Sequence, residues 1–195
     1  IPKVTRVEIS KRTHDCKPWK PPKACPSCGT HLIHVEGEVA IRCPNTHGCP
    51  EQALRQLSFF AGKDGLDIEH LGERVAEQLL SKGLIRDYTD LFNLSHEDLL
   101  KLDGFKEKSA LNLEESLERA KEVELAQLIC ALGIPSVGKQ TAEILAEVAR
   151  SLEGLLNLKK STLEDLEGIG PKTAEGITKY LENSVHREQI KKLIA

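Results

Sequence analysis

From Pro50 onward the apolar residues fall at helical spacing. Ala53, Leu54, Leu57 and Phe60 form one stripe behind Pro50, a residue suited to a first helical position. Leu71, Val75 and Leu79 continue the pattern, and Gly83 is placed to stop it. Ser95, His96, Glu97 and Asp98 predict a capping box ahead of Leu99 and Leu100. Further helices are predicted at 107–121, 124–132, 139–150, 162–166, 172–183 and 186–194. Their stripes are wide, so the helices are expected to pack on one another. The start of the chain has another period. Residues 3–9 alternate, with Thr5, Val7 and Ile9 on one face, and predict a strand. Segments 32–35 and 39–42 read as a hairpin turning at Glu36, Gly37 and Glu38.

The helical region repeats itself. Four nine-residue stretches align as Ile68 to Ala76, Leu102 to Ala110, Ile134 to Ala142 and Leu166 to Ala174. Their closing alanines step by 34, 32 and 32 residues, the fixed period of a repeat architecture. Each copy has an apolar residue, a glycine-hinged turn and a second helix with alanine on its first turns. Glycine allows positive φ and close backbone approach, while alanine lets two helices pack tightly. Four hairpins in two pairs are therefore expected, giving a mainly α fold.

Such a turn presents bare amides at a helix N-terminus, and together with the helix dipole they make an anion site. The anion that recurs along an extended surface is nucleic-acid phosphate, held without reading sequence. A glycine cap with no ligand is the competing explanation for any one copy; the register of all four favours phosphate. Candidate contacts are Gly72, Gly104, Lys106, Gly138, Lys139, Gly168, Gly170, Lys172 and Thr173. Lys106, Lys139 and Lys172 sit where an ammonium supplements the amides. The first copy lacks such a lysine. His70, Lys106 and Ser136 each replace one hinge glycine of the fourth copy.

The most specific local chemistry lies upstream. Cys25-x2-Cys28, a gap of 14 residues and Cys43-x5-Cys49 provide two close pairs of thiols, the pattern of a structural zinc site. About 25 residues cannot bury enough to fold alone, so one zinc ion is expected to supply the folding energy. Disulfides, or His47 in place of Cys49, are the alternatives. Cys16 is expected to be a free thiol, Cys130 a buried one, and His31 and His34 surface residues of the hairpin.

Composition narrows the partners. Aromatics make up only 4% of the chain, so the core must come from Leu, Ile, Val and Ala. Net charge is −3, which argues against binding nucleic acid by bulk charge alone. The distribution is uneven, however: residues 1–24 hold seven Lys or Arg against Glu8 and Asp15, leaving an acidic remainder. This basic arm suits either a phosphate backbone or a solvated linker. No run of about 18 apolar residues is present, so no membrane span is predicted. The absence of methionine points to a piece of a longer product.

The four turns resemble the tandem helix-hairpin-helix motif of DNA-repair and replication proteins, most closely through Gly168, Ile169, Gly170 and Ala174. A basic strand, a four-cysteine knuckle and four such turns, including 132–142 (LGIPSVGKQTA) and 166–174 (LEGIGPKTA), together resemble the C-terminal half of bacterial NAD-dependent DNA ligases. The resemblance covers essentially the whole chain. It implies that residues 1–24 are the last strand of an upstream oligonucleotide-binding (OB) barrel plus a linker, 25–50 a structural zinc finger, and 51–195 a helix-hairpin-helix domain gripping nicked double-stranded DNA. It further implies a monomeric cytoplasmic enzyme of replication and repair that seals 5′-phosphate, 3′-hydroxyl nicks after NAD adenylates a lysine. NAD, Mg2+ and the adenylation domain would lie outside these residues, leaving no catalytic residue here. Lys101, Leu102, Asp103 and Gly104 do match the KxDG signature of the adenylated lysine, but they also open the second hairpin in register with its copies. A non-catalytic role is expected for them. A zinc and helical scaffold for junction DNA or proteins is the alternative function. A base-excision glycosylase would need a catalytic Asp after one hairpin, and none stands out.

Overall fold

The computed structural model describes residues 3–13, 16–34, 39–46 and 48–194. Contacts divide the chain after Asn45 into two units.

In the first unit, β1 (Ile33–His34) pairs antiparallel with β2 (Ile41–Arg42), Ile33 facing Arg42 and His34 facing Ile41. The predicted turn at Glu36, Gly37 and Glu38 lies outside the described residues. His31 and His34 are exposed, as expected. The strand predicted at 3–9 is not formed. Residues 3–8 carry no regular structure and Ile9–Lys11 makes a 3-10 turn, with Val4, Val7 and Ile9 exposed. Alternation alone cannot make a strand. Its amides need a neighbouring strand, and none pairs with it among the described residues.

The second unit is helical. Helices α1 (Pro50–Ala61), α2 (Glu73–Ser81), α3 (His96–Leu100), α4 (Glu107–Arg119) and α5 (Leu125–Ala131) are followed by α6 (Lys139–Ala149), α7 (Leu152–Leu156), α8 (Lys160–Glu164), α9 (Pro171–Glu182) and α10 (Ser184–Ile194). The pairs α1/α2, α3/α4, α5/α6 and α8/α9 pack on each other, which makes four hairpins. A 3-10 segment, Tyr88–Asn93, leads from the first hairpin to the second, and α7 leads from the third to the fourth. Gly83 stops α2 as expected, with φ +67°. Helix α7 gives little sequence signal, because its five residues, with Leu152 and Leu155 buried, span little more than one turn and show no repeat. Its Gly154 is required by packing, since a Cβ there would lie 1.9 Å from the Ala149 carbonyl oxygen.

One apolar core runs from Leu57 to Ile190. As composition demands, it is mainly aliphatic. Its few aromatics tie successive parts together: Phe60 stacks on Tyr88 with ring centroids 4.4 Å apart. The Tyr88 hydroxyl donates to Gln189 Oε1 of α10 at 3.2 Å, and the Tyr180 hydroxyl of α9 donates to the Leu132 carbonyl at 3.0 Å. Polar ring atoms buried this way need such partners. No helix among the described residues is long and apolar enough to cross a membrane.

Candidate nucleic-acid interface and metal centre

The four hairpin turns share one backbone geometry. The first residue of each copy accepts a hydrogen bond from the fourth, at 3.4 Å for Leu71 to Ile68, 3.1 Å for Phe105 to Leu102, 3.0 Å for Val137 to Ile134 and 3.1 Å for Ile169 to Leu166. The third residue is left-handed in every copy: His70 at φ +67°, Gly104 at +86°, Ser136 at +64° and Gly168 at +89°. This is the arrangement of a type II turn, whose third residue requires positive φ. Sequence comparison treats His70 and Ser136 as departures from the pattern, yet both adopt the backbone of the glycine they replace. The fourth residue buries into the core or lies half-buried, and the ninth, Ala76, Ala110, Ala142 or Ala174, is fully buried. Alanine is the side chain that fits where the second helix meets the first.

The fifth residue is the N-cap of the second helix in each copy. Gly72, Lys106, Gly138 and Gly170 are extended there, with φ of −78°, −137°, −106° and −77°. Each accepts the first intrahelical bond, from Ala76, Ala110, Ala142 and Ala174 at 3.0, 3.0, 2.8 and 2.9 Å. Any L-residue adopts such dihedrals. A Cβ at Gly72, Gly138 or Gly170 would meet nothing within 4 Å, so neither conformation nor packing inside the chain calls for glycine. What a side chain would fill is the exposed space in front of the helix. No side chain caps α2, α6 or α9, whereas α3 and α7 are capped by Ser95 and Ser151. First-turn amides without a cap remain available to an external acceptor.

Charge around the turns is not uniform. Helices α2 and α4 begin with Glu73 and Glu107, while α6 and α9 have no acid in their first turn. Anions are favoured at the second pair by that difference. Lys106 and Lys172 are exposed and form no ion pair among the described residues. Lys139 Nζ lies 3.6 Å from Asp64 Oδ1, with both side chains more than two-thirds exposed. Thr173 is half-buried in the first turn of α9. The structure also shows a cation missed in the first copy: Arg74 occupies the register position of Lys108 and Lys172. That register was the available signal.

Lys101 lies one residue past α3, its Nζ 2.7 Å from Asp98 Oδ1. The Asp98 carboxylate raises its pKa, holding the amine protonated rather than nucleophilic. Asp103 pairs with Lys82 at 2.9 Å and its amide donates to Gln78 Oε1 at 2.6 Å. All four residues of this match thus serve the second hairpin and its contact with α2.

The sulfurs of Cys25, Cys28, Cys43 and Cys49 all lie within 4.8 Å of one another, and those of Cys28 and Cys43 are 3.5 Å apart. A zinc ion with four sulfurs at about 2.3 Å places them about 3.8 Å from each other, so this cluster fits tetrahedral zinc. None of the four is in a disulfide. The first knuckle is fixed by the backbone: Gly29, at φ +74°, donates to the Cys25 carbonyl at 2.8 Å, and the Cys25 amide donates to Thr30 at 2.8 Å. Cys49 N-caps α1, accepting from Ala53 at 3.0 Å. The Thr30 hydroxyl beside Cys28 brings its thiol down to about 6, while burial pushes Cys43 up to about 11. Four thiolates close the shell and leave no position for substrate. His47 lies outside the described residues. Cys16 is exposed and Cys130 buried, as expected.

Comparison with known proteins matches three stretches of the chain. Residues 24–50 match the NAD-dependent DNA ligase C4 zinc finger domain. Residues 64–119, the first two turns, match a SAM-like helix-hairpin-helix tandem, and residues 127–190, the other two, match a helix-hairpin-helix motif family. Over 194 residues the chain is 42% identical to a DNA ligase of Protochlamydia amoebophila, covering 100% of this chain and 29% of the relative. It is 43% identical over 194 residues to a DNA ligase of Pelotomaculum thermopropionicum, covering 100% of this chain and 28% of that protein. A Thermotoga neapolitana DNA ligase is 41% identical over 195 residues, with 99% of this chain and 28% of the relative covered. The chain therefore spans under a third of the length of these ligases.

Proposed function

We propose that this chain, which carries the zinc finger of the NAD-dependent DNA ligases and two tandem helix-hairpin-helix pairs, is the duplex-gripping, C-terminal part of such an enzyme. The observation that carries this reading is the repeated turn. Four N-caps stand in register on exposed surface, and the three glycines among them are demanded by neither backbone conformation nor packing inside the chain. A phosphodiester backbone approaching the helix N-termini gives those glycines a reason.

Gly72, Gly104, Lys106, Gly138, Lys139, Gly168, Gly170, Lys172 and Thr173 are the proposed phosphate-binding set, with Arg74 added by its register. Contacts to backbone alone give no sequence preference, which suits an enzyme that closes nicks wherever they arise in replication and repair. Their contribution is positional: they hold the 5′-phosphate and 3′-hydroxyl ends in line while other parts of the protein do the chemistry. The adenylated lysine, NAD and Mg2+ are assigned to those other parts, and zinc to a structural role at Cys25, Cys28, Cys43 and Cys49. Residues 1–24 are assigned to the end of an OB-type barrel and its linker. The parent enzyme is proposed to work as a monomer in the bacterial cytoplasm.

Titration of the zinc-loaded chain with labelled nicked and intact duplex at two salt concentrations tests the reading, run beside an adenylation assay with labelled NAD. Saturable binding that weakens with salt, without label uptake, is the expected outcome. Label on Lys101 would overturn the non-catalytic assignment. Absence of binding at low salt would leave a protein scaffold as the better account.

A further inference from the structure

We propose that residues 17–23, Lys-Pro-Trp-Lys-Pro-Pro-Lys, are a second DNA contact, a preformed ladder whose lysines follow the phosphates of one strand and whose indole packs on a sugar or on a base exposed at the nick. The proposal rests on the DNA-binding function above, and its own observations come from the first unit alone.

Three prolines fix φ within this stretch, and each also holds the residue before it extended. Pro18, Pro21 and Pro22 therefore constrain every position from 17 to 22 except Trp19. No helix or strand is present there. Such a backbone takes the polyproline II form, with three residues per turn and a rise of about 3.1 Å per residue. At that period Lys17 and Lys20 share one edge, Trp19 and Pro22 a second, and Pro18 and Pro21 the third, with Lys23 following at the bend where the segment meets the zinc finger. Successive lysines are then about 9 Å apart along the axis, a spacing from which side chains as long as lysine reach nearby phosphates of one strand.

The segment is built to be occupied from outside. Every residue from 17 to 23 is exposed, and Trp19, the single tryptophan of the chain, is 79% exposed. An indole in water forgoes a large apolar burial. The flanking cations determine which partner can cover it, because three ammonium groups within seven residues complement a polyanion and disfavour a purely apolar protein surface. The ladder is also anchored at its far end. Lys23 accepts a backbone bond from Leu32 at 2.9 Å, and Ala24 bridges to His31, so the arm enters the zinc finger from a fixed point. Little conformational entropy remains to be lost on binding, as prolines have already removed it.

The tryptophan also reports its own contact. Labelled nicked duplex is titrated with the whole zinc-loaded chain while duplex anisotropy and tryptophan emission are followed together. Emission is expected to change in step with occupancy. Trp19→Ala is expected to weaken binding about 5-fold or more. The triple variant K17Q/K20Q/K23Q is expected to reduce the slope of log affinity against log salt by roughly 2.7, at 0.9 per lost phosphate contact. These residues are exposed, so zinc content and helical circular dichroism serve as fold controls that should not move. Saturable anisotropy with unchanged emission and an unchanged salt slope would overturn the ladder while leaving the hairpins in place. No anisotropy change at all would remove the DNA-binding function itself.

Discussion

At Gly168 the backbone has φ +89° and a Cβ would lie 3.1 Å from Ile144 Cδ1; two residues on, Gly170 is extended with nothing within 4 Å of a Cβ. The same residue type thus answers two different demands, one from the fold and one from the surface. Gly168→Ala is expected to cost about 1–2 kcal/mol of stability, the price of a left-handed L-residue, whereas Gly170→Ala, at an extended N-cap, is expected to cost less, under about 1 kcal/mol. Urea denaturation of both variants checks the contrast. Sequence makes these two glycines legible as hinges, but it cannot separate their roles, since dihedral angle and free space are properties of the folded chain. The same limit hides His70 and Ser136, whose left-handed backbone no side-chain pattern announces. Asp98 offers a second residue-scale test. Lys101 and the Ser95 cap hold its carboxyl at about 2. A depressed carboxylate contributes stability above its ordinary range near 4 that is lost as pH falls toward 2. Acid titration of stability should show this loss in the parent and not in Asp98→Asn.

The second hairpin is held by charge as well as by apolar packing. His96 of α3 places Nδ1 2.8 Å from Glu114 Oε2 and Nε2 3.1 Å from Glu107 Oε1, both carboxylates belonging to α4. The hydrogen bond to Glu114, followed by the charges of the two acids, raises the His96 pKa above its ordinary value. A raised imidazole contributes fully below about pH 6.5 and loses that contribution as pH rises through the folded-state value. The stability difference between the parent and His96→Gln is therefore expected to shrink on going from pH 6 to pH 9; a difference that grows would contradict the pairing. Helical period predicted most of α1 to α10, as long amphipathic elements carry their own signal. The elements it misjudged are short or dependent on partners. Helix α7 is five residues long, and the strand expected at 3–9 has no neighbour to pair with among the described residues. The pairing of His96 with Glu107 and Glu114 was equally invisible, because it depends on how α3 crosses α4.

At the scale of the molecule the two units are stabilised differently. Residues 46–194 share one apolar core, whereas β1 and β2 are two residues each and bury little. Chelation of zinc is expected to unfold the cysteine module while helical circular dichroism persists, and Cys28→Ser should reproduce the effect without chelator. The candidate zinc ligands were legible from spacing, and the hairpins from their period. The even geometry of all four turns was not, since two of them lack the glycine that marks it. The central claim is that the second pair of hairpins grips the duplex through its open N-caps. The most direct test is the affinity of G138D/G170D for labelled nicked duplex at low salt, beside its denaturation midpoint. A midpoint close to that of the parent with affinity reduced at least tenfold is the predicted result, because each aspartate places an anion where a phosphate should sit. Parental affinity in a folded double variant would contradict the account.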